Sequence, residues 1–179
     1  MKATGIVRRI DDLGRVVIPK EIRRTMRIRE GDPLEIFTDN NGEVVFKKYS
    51  PVGELSAFAS QYADVMSRAC GVPVIICDRD HVIAAAGLPK KELQEHRLSP
   101  ALEELMESRQ TYTASAAGTC ITPVEGSDRC ISVCSPILSS GDMIGAVCLL
   151  QNEEGSTPSD GDVRLTQVAA SFLGKQMEE

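Results

Sequence analysis

The sequence predicts an α+β protein of two domains, because three properties of the chain change together near residue 50. The first 50 residues carry 11 Lys and Arg against 8 Asp and Glu, whereas residues 51–179 carry 9 against 18. All six cysteines lie after residue 50, and Pro51 disfavours a helical conformation at Ser50. We therefore expect a domain of residues 1–50, a linker of residues 51–54 and a second domain of residues 55–179.

The overall composition is that of an ordinary globular protein. The 179 residues are 42% apolar and 26% charged, and none is Trp. No apolar run approaches the ~18–20 residues that cross a bilayer, and no apolar segment follows the basic residues near Met1, as it would in a signal peptide. We expect a cytoplasmic protein without a membrane partner, in which the cysteines are reduced thiols.

The first domain is predicted to contain four short strands and one helix in the order ββαββ. Pro19 is suited to the first turn of a helix, where its missing N–H has no cost. The segment Asp39–Gly42 between two apolar runs is a strong hairpin signal. The predicted strands are residues 6–10, 15–18, 34–37 and 44–47, and the predicted helix runs from residue 19 to about residue 28.

The small size of this first domain predicts a partner chain. A domain of this length buries only a modest apolar core and is usually stabilised by a metal, by disulfides or by oligomerisation. Its sequence contains no Cys and no His, so stabilisation by a metal or by disulfides is excluded. We infer an obligate dimer with shared sheets.

A basic cluster near the start of the chain is the strongest functional signal. Residues 1–29 hold nine Lys and Arg, seven of them Arg, and only three Asp and Glu. The planar guanidinium group fits phosphate oxygens and guanine edges better than an ammonium group does. The cluster could also be an ordinary solvated surface, but a two-fold dimer would double it and present it to a two-fold duplex. Double-stranded DNA is the predicted partner.

The segments Thr4–Ile28 and Gly31–Ile36 resemble the N-terminal domain of AbrB-type transition-state regulators. The resemblance covers residues 1–50 almost without gaps. It implies a swapped-hairpin β-barrel dimer that binds DNA, with a nucleoid-associated location. The DNA-contacting arginines of the family correspond to Arg8, Arg15, Arg23 and Arg24, and the helping residues to Arg9 and Lys2.

The second domain is predicted to be an antiparallel sheet covered by helices. Its first helix carries apolar residues at a heptad-like spacing, which suits packing either on its own sheet or on a helix of another copy. A second helix is expected near residues 100–108, and the chain ends in an amphipathic helix. The predicted strands are residues 73–77, 81–85, 130–137 and 143–150.

The whole chain is similar to AbrB-type regulators that carry a GAF-like second domain. This resemblance implies a homotetramer, joined through the second domain, that regulates sporulation genes as a sequence-specific transcription regulator. It also implies a cavity for a small-molecule ligand, which Ile76, Ala85 and Ile131 could line, although they suit a core equally well. Antitoxins of the MazE type share the swapped-hairpin fold, but the folded acidic domain here argues against that role.

The sequence gives little support to an enzyme or a metal site. Zinc-ligand spacings, phosphate-binding loops and hydrolase motifs are absent, so no catalytic residue, metal or cofactor is expected. Cys77 and Cys148 lie in apolar runs and are expected to be buried, whereas Cys120 lies in a polar stretch and could be exposed and reactive. The competing hypothesis is a ligand-sensing or thiol-redox GAF protein whose basic first domain serves only for assembly.

Overall fold

A computed structural model describes residues 4–115, 118–152 and 157–178 of the chain. The chain divides into two compact units, Met1–Tyr49 and Ser50–Glu179, called unit 1 and unit 2 below. Within the described residues, no helix is long and apolar enough to cross a membrane.

Unit 1 contains helix α1 (Lys20–Thr25) and an antiparallel hairpin of β1 (Leu34–Thr38) and β2 (Val44–Lys48). The carboxylate of Asp39 closes this hairpin by accepting hydrogen bonds from the backbone N–H groups of Asn41, at 3.1 Å, and Glu43, at 2.7 Å. The predicted hairpin is therefore confirmed, with its turn where the sequence places it.

The strands predicted over residues 6–10 and 15–18 are absent from the single chain. Only the turn between them is formed: the Asp11 N–H donates to the carbonyl oxygen of Arg15, and the Gly14 N–H to that of Asp11, both at 3.0 Å. Gly14 has φ +75°, as the turn requires. A strand needs a neighbouring strand for its remaining backbone groups, and among the described residues of unit 1 only β1 and β2 pair.

Helix α1 ends earlier than the predicted residue 28. Arg27 adopts the left-handed conformation, with φ 51°, and the Ile28 N–H donates back to the carbonyl oxygen of Arg23 at 2.7 Å. This is a typical helix C-terminus. The left-handed residue here is an arginine, whereas Gly or Asn is usual at this position, so the sequence does not predict this helix end.

Unit 1 has no apolar core of its own. Among its described residues, no Val, Ile, Leu, Met or Phe side chain is fully buried, and Val7 is 84% exposed. Such exposure is unusual for a folded unit, because apolar burial is the main stabilising contribution to folding. The large apolar side chains that remain exposed are Ile6, Val7, Ile10, Leu13, Val16, Val17, Met26, Ile36, Phe37, Val44, Phe46 and Tyr49.

Unit 2 is a five-stranded antiparallel sheet with helices, which confirms the predicted α+β architecture. The strands are β3 (Val74–Cys77), β4 (Val82–Ala86), β5 (Tyr112–Thr113), β6 (Ile131–Ser139) and β7 (Asp142–Leu150). They lie in the spatial order β4-β3-β7-β6-β5. The helices are α2 (Pro51–Glu54), α3 (Ser56–Cys70), α4 (Lys90–Leu93), α5 (Pro100–Glu107) and α6 (Asp160–Gln176).

Both faces of this sheet are buried. Alternate residues of β3 point to opposite faces: Val74 and Ile76 join the core beneath α3 and α6, whereas Ile75 and Cys77 join the core beneath α5. Gly174 allows α6 to approach the sheet closely, because a Cβ at this position would collide with the carbonyl oxygen of Leu138.

The segment predicted as a linker, residues 51–54, is helix α2 of unit 2. Ser50 caps this helix by accepting a hydrogen bond from the Gly53 N–H at 3.0 Å, and its hydroxyl donates to the Asp78 carboxylate at 2.7 Å. Val52 is completely buried in the core. Pro51 suggested a linker, but it also suits the first turn of a helix.

The prediction of six reduced cysteines is wrong, because Cys120 and Cys130 form a disulfide. The Ile131 N–H donates to the carbonyl oxygen of Ile121 at 2.8 Å. Because each of these residues directly follows one of the two cysteines, this hydrogen bond brings the cysteines side by side. Such pairing depends on tertiary structure, and the ten-residue separation alone does not reveal it. The other four thiols are free, and Cys77 and Cys148 are buried as predicted.

Candidate nucleic-acid interface

The turn at residues 11–15 holds Arg15 in a defined position. The Asp11 carboxylate accepts hydrogen bonds from the backbone N–H groups of Leu13, at 3.0 Å, and Arg15, at 2.8 Å, and from Nε of Arg15 at 2.8 Å. The backbone and guanidinium donors of Arg15 lower the pKa of Asp11. The Arg15 side chain remains 69% exposed, so the turn orients a guanidinium group that still faces solvent.

The two candidate arginines of α1 have different environments. Both lie in the last turn of the helix, where a positive charge is favourable. Arg24 is exposed, whereas Arg23 is half-buried. The Nε of Arg23 is buried and has no hydrogen-bond partner among the described residues. Leaving a buried donor unpaired has a free-energy cost, so an acceptor on another molecule that reached this Nε would be stabilising.

The remaining candidates lie before the turn. Arg8 and Arg9 are both exposed, and Lys2 lies outside the described residues. Of the candidate set, the structure therefore presents Arg8, Arg9, Arg15 and Arg24 to solvent and half-buries Arg23.

Sequence reasoning missed two side chains that shape this region. Asp11 fixes Arg15, and the only sequence signal for it is an acidic residue at the start of a turn that contains Gly14. Lys48 donates from Nζ to the carbonyl oxygen of Arg27 at 2.9 Å and lies 3.7 Å from the Asp32 carboxylate. Lys48 therefore stabilises the turn after α1 rather than contributing an exposed charge.

Unit 2 contains a cavity of about 780 Å³. Glu92 and Arg129 form an ion pair at its edge, with Nε 3.3 Å from Oε1. Of the predicted lining residues, Ile131 borders a smaller cavity of about 150 Å³, whereas Ile76 and Ala85 belong to the core. The larger cavity is lined by Glu92, His96, residues 124–130, Gln151 and Asn152. Within the described residues, no group of three or more His, Cys, Asp or Glu side chains is placed to hold a metal ion.

Helices α3 and α6 share an apolar face, defined by Phe58, Tyr62, Val65, Leu165, Val168 and Phe172. Three of its rings touch, with centroid distances of 5.9 Å for Phe58–Tyr62, 6.2 Å for Phe58–Phe172 and 5.8 Å for Tyr62–Phe172. Val65 and Val168 are each more than 60% exposed. A contiguous exposed apolar face of this kind is typical of a surface that another protein covers.

Comparison with known proteins establishes the family. Residues 54–178 match the family described as stage V sporulation protein T C-terminal, transcription factor. Over 181 aligned residues the chain is 50% identical to stage V sporulation protein T of Bacillus subtilis (strain 168), and the match covers 100% of both chains. This chain belongs to the stage V sporulation protein T family of transcription factors. That membership agrees with the prediction that it is not an enzyme.

The first part of the chain, which contains unit 1, is also similar to other proteins. Its region is 59% identical over 51 residues to the transition state regulatory protein AbrB of Bacillus subtilis (strain 168), which covers 28% of this chain and 52% of that protein. Residues 7–53 also match the family described as antidote-toxin recognition MazE, bacterial antitoxin. The predicted resemblance of the first domain to AbrB-type regulators is confirmed.

Solved structures confirm the GAF-like fold of unit 2. A GAF domain from a phosphoenolpyruvate-protein phosphotransferase of Coxiella burnetii gives a TM-score of 0.55 at 14% identity and covers 69% of this chain and 82% of that chain. A GAF domain/HD domain protein from Geobacter sulfurreducens gives 0.52 at 18% identity and covers 71% and 94%. At these identities the likeness concerns the fold alone.

Proposed function

We propose that this transcription factor regulates sporulation genes by binding specific duplex DNA through a dimer of its first 50 residues. The observation that carries the proposal is the composition of the unit 1 surface. That surface combines exposed arginines with large apolar side chains that one copy alone leaves uncovered.

The uncovered apolar side chains support dimerisation by exchange of hairpins. The segment of residues 4–18 has a formed turn but no strand partner within its own unit. Pairing it with the same segment of a second copy would satisfy its backbone groups and cover residues such as Val7, Val17 and Phe46. Such a swap is a common route to a symmetric dimer.

The dimer would gather the arginines of both copies on one surface. Arg8, Arg15 and Arg24 are exposed and are assigned to the duplex, and Arg9 and Lys2 assist them. Contacts to phosphate would fix the register, and contacts to base edges would supply specificity. The half-buried Arg23, with its unpaired Nε, is assigned to a hydrogen-bond acceptor, either on the second copy or on the DNA.

Unit 2 would join two such dimers into a tetramer. Residues 51–179 carry 9 basic against 18 acidic residues, so their net charge repels phosphate and keeps this part of the chain off DNA. The apolar face of α3 and α6 is the surface assigned to assembly. The cavity of unit 2 is assigned to a small-molecule signal that would adjust DNA binding.

Binding of purified variants to DNA tests this proposal. A duplex is first selected from a random-sequence library by repeated binding to the wild-type protein, and affinities are then measured by fluorescence anisotropy with non-specific competitor DNA. Arg15→Ala and Arg24→Ala should each abolish specific binding while the circular dichroism spectrum and the molar mass stay unchanged.

A matched control is Arg68→Ala, which removes an exposed arginine from the last turn of α3 and should bind DNA like the wild type. Unimpaired binding by both unit 1 variants would reject the assigned site. Failure of the wild type to enrich any duplex would favour the competing hypothesis, in which the basic domain serves only for assembly.

A further inference from the structure

The Cys120–Cys130 disulfide connects an exposed segment to a residue that the sheet of unit 2 holds in place. Cys130 directly precedes β6, and its carbonyl oxygen accepts a hydrogen bond from the Gln151 N–H at 2.8 Å. Cys120 is exposed, and its Cα lies 5.2 Å from that of Cys130. One end of the bridge is therefore fixed by backbone hydrogen bonds, and the other end is open to solvent.

The residues enclosed by the bridge form a wall of the larger cavity. The continuous segment of residues 124–129 lines it, and so does Cys130 itself. On the other side of the bridge, Cys120 lines the smaller cavity, together with Gln151, which borders both. The disulfide thus joins a residue that lines the smaller cavity to one that lines the larger cavity.

The other thiols of the chain are less suited to exchange. Hydrogen bonds with Cys134 and Cys77, together with burial, raise the pKa of Cys148 well above its usual value. Burial and the nearby Asp162 carboxylate raise the pKa of the half-buried Cys70. Only thiolates attack disulfides or are modified rapidly, so the raised pKa values make Cys148 and Cys70 slow to react, and Cys77 and Cys134 are buried.

We propose that Cys120–Cys130 is a reversible thiol–disulfide exchange site, reduced by a dithiol, that controls the mobility of the loop of residues 121–129, of which residues 124–129 form the cavity wall. Exposed disulfides are in general the labile and regulatory ones, whereas buried disulfides resist reduction. This site is independent of the assigned DNA contacts, all of which lie in unit 1.

The exchange is a balanced two-electron reaction. A thiolate of the dithiol attacks Sγ of the exposed residue Cys120, the Cys120–Cys130 bond breaks, and Cys130 leaves as a thiolate that takes up a proton. The second thiol of the reductant loses its proton, attacks the mixed disulfide and releases Cys120. The products are two cysteine thiols and the oxidised, disulfide form of the reductant.

Breaking the bridge would release the wall at one end. The cross-link restricts the loop of residues 120–130, and its removal restores conformational freedom to that loop. The start of the loop would remain held by the hydrogen bond from Ile131 to Ile121 and by those from Ser99 to the carbonyl oxygens of Thr122 and Pro123. Its far end would remain held by the ion pair of Arg129 with Glu92. The wall should then open more often, while the central strand β7 stays protected.

A redox titration of the full-length protein tests the exchange. The protein is equilibrated in glutathione buffers of graded ratio and then with reduced thioredoxin, quenched with acid, alkylated and analysed by peptide mass spectrometry. Cys120 and Cys130 should be reduced together, reoxidise on return to oxidised glutathione, and reach half-reduction within the range of ratios used. A pair that stays oxidised in every buffer and with thioredoxin, or that never forms the disulfide, would overturn the proposal.

Hydrogen exchange tests the consequence for the wall. Peptides covering residues 121–129 should exchange several-fold faster in the reduced protein than in the oxidised protein, with peptides of β7 unchanged. Cys70→Ser, which removes a thiol outside the bridge, should keep this response, and Cys120→Ser should exchange rapidly in both conditions. Equal exchange of residues 121–129 in the two redox states of the wild type would contradict the assigned role, even if Cys120→Ser does not fold.

Discussion

Removing one arginine from each chain should change how steeply salt weakens DNA binding. Three of the exposed arginines, Arg8, Arg15 and Arg24, are assigned to the duplex, which gives six guanidinium groups in a dimer. If each neutralises one phosphate, the slope of log K against log salt concentration is about −5.4. Arg24→Ala removes two of the six contacts, and the slope should become about −3.6.

The difference in slope is large enough to measure. A roughly fourfold rise in salt should weaken binding of the wild type by about 2,000-fold and of Arg24→Ala by about 150-fold. Fluorescence anisotropy over a salt series gives both slopes, with one labelled duplex for both proteins. The series starts at low salt and omits competitor DNA, because phosphate-dependent binding of Arg24→Ala is still measurable there. Arg68→Ala serves as the control and should keep the wild-type slope.

Two results would refute this reasoning. If the slope of Arg24→Ala equals that of the wild type, Arg24 does not contact a phosphate. If the wild-type slope is close to zero, binding does not depend on phosphate neutralisation, and the basic cluster is an ordinary solvated surface.

Three further predictions concern stability, assembly and pH. Gly174→Ala should lower the free energy of unfolding of unit 2, measured by chemical denaturation, by about 2 kcal/mol, because the added Cβ collides with the sheet. Gly161→Ala, at a roomier position of the same helix, should raise it by about 0.5–1 kcal/mol. Val65→Asp should reduce the molar mass in light scattering from that of a tetramer to that of a dimer, and Ala57→Asp, on another side of α3, should not; a tetrameric Val65→Asp would exclude the α3–α6 face. The folded turn lowers the pKa of Asp11 below its ordinary value of 3.8, so the carboxylate stabilises the turn above pH 3.8 and loses this effect as the pH falls through the lowered pKa. An Asp11 pKa at or above the ordinary value, measured by NMR titration, would contradict the hydrogen bonds described.

The elements predicted correctly from the sequence are those whose partners lie nearby in the same chain. The hairpin of β1 and β2 and that of β6 and β7 each consist of apolar runs around a turn, so the local pattern contains both the strands and their pairing. The strands expected at residues 6–10 and 15–18 have the same pattern but no partner within their unit. A local pattern shows that a segment favours a strand and does not show which chain supplies its neighbour.

Other features could not be predicted because they depend on tertiary placement. Arg27 ends α1 in a left-handed conformation that the sequence does not signal. The burial of Arg23 depends on packing around the helix, and a count of charges treats it like the exposed Arg24. The disulfide likewise follows from the path of the chain before β6, which brings Cys120 to Cys130.

The claim on which the DNA-binding account depends is that the first 50 residues of two chains interleave. Isotope-filtered NMR on the full-length protein, prepared as an equal mixture of labelled and unlabelled chains, tests it directly. The account predicts interchain contacts from side chains that one copy leaves exposed, among them Val7, Val17 and Phe46. If all contacts of these side chains arise within one chain, or if they show none and remain in water, unit 1 is not an interleaved dimer and the shared arginine surface does not exist.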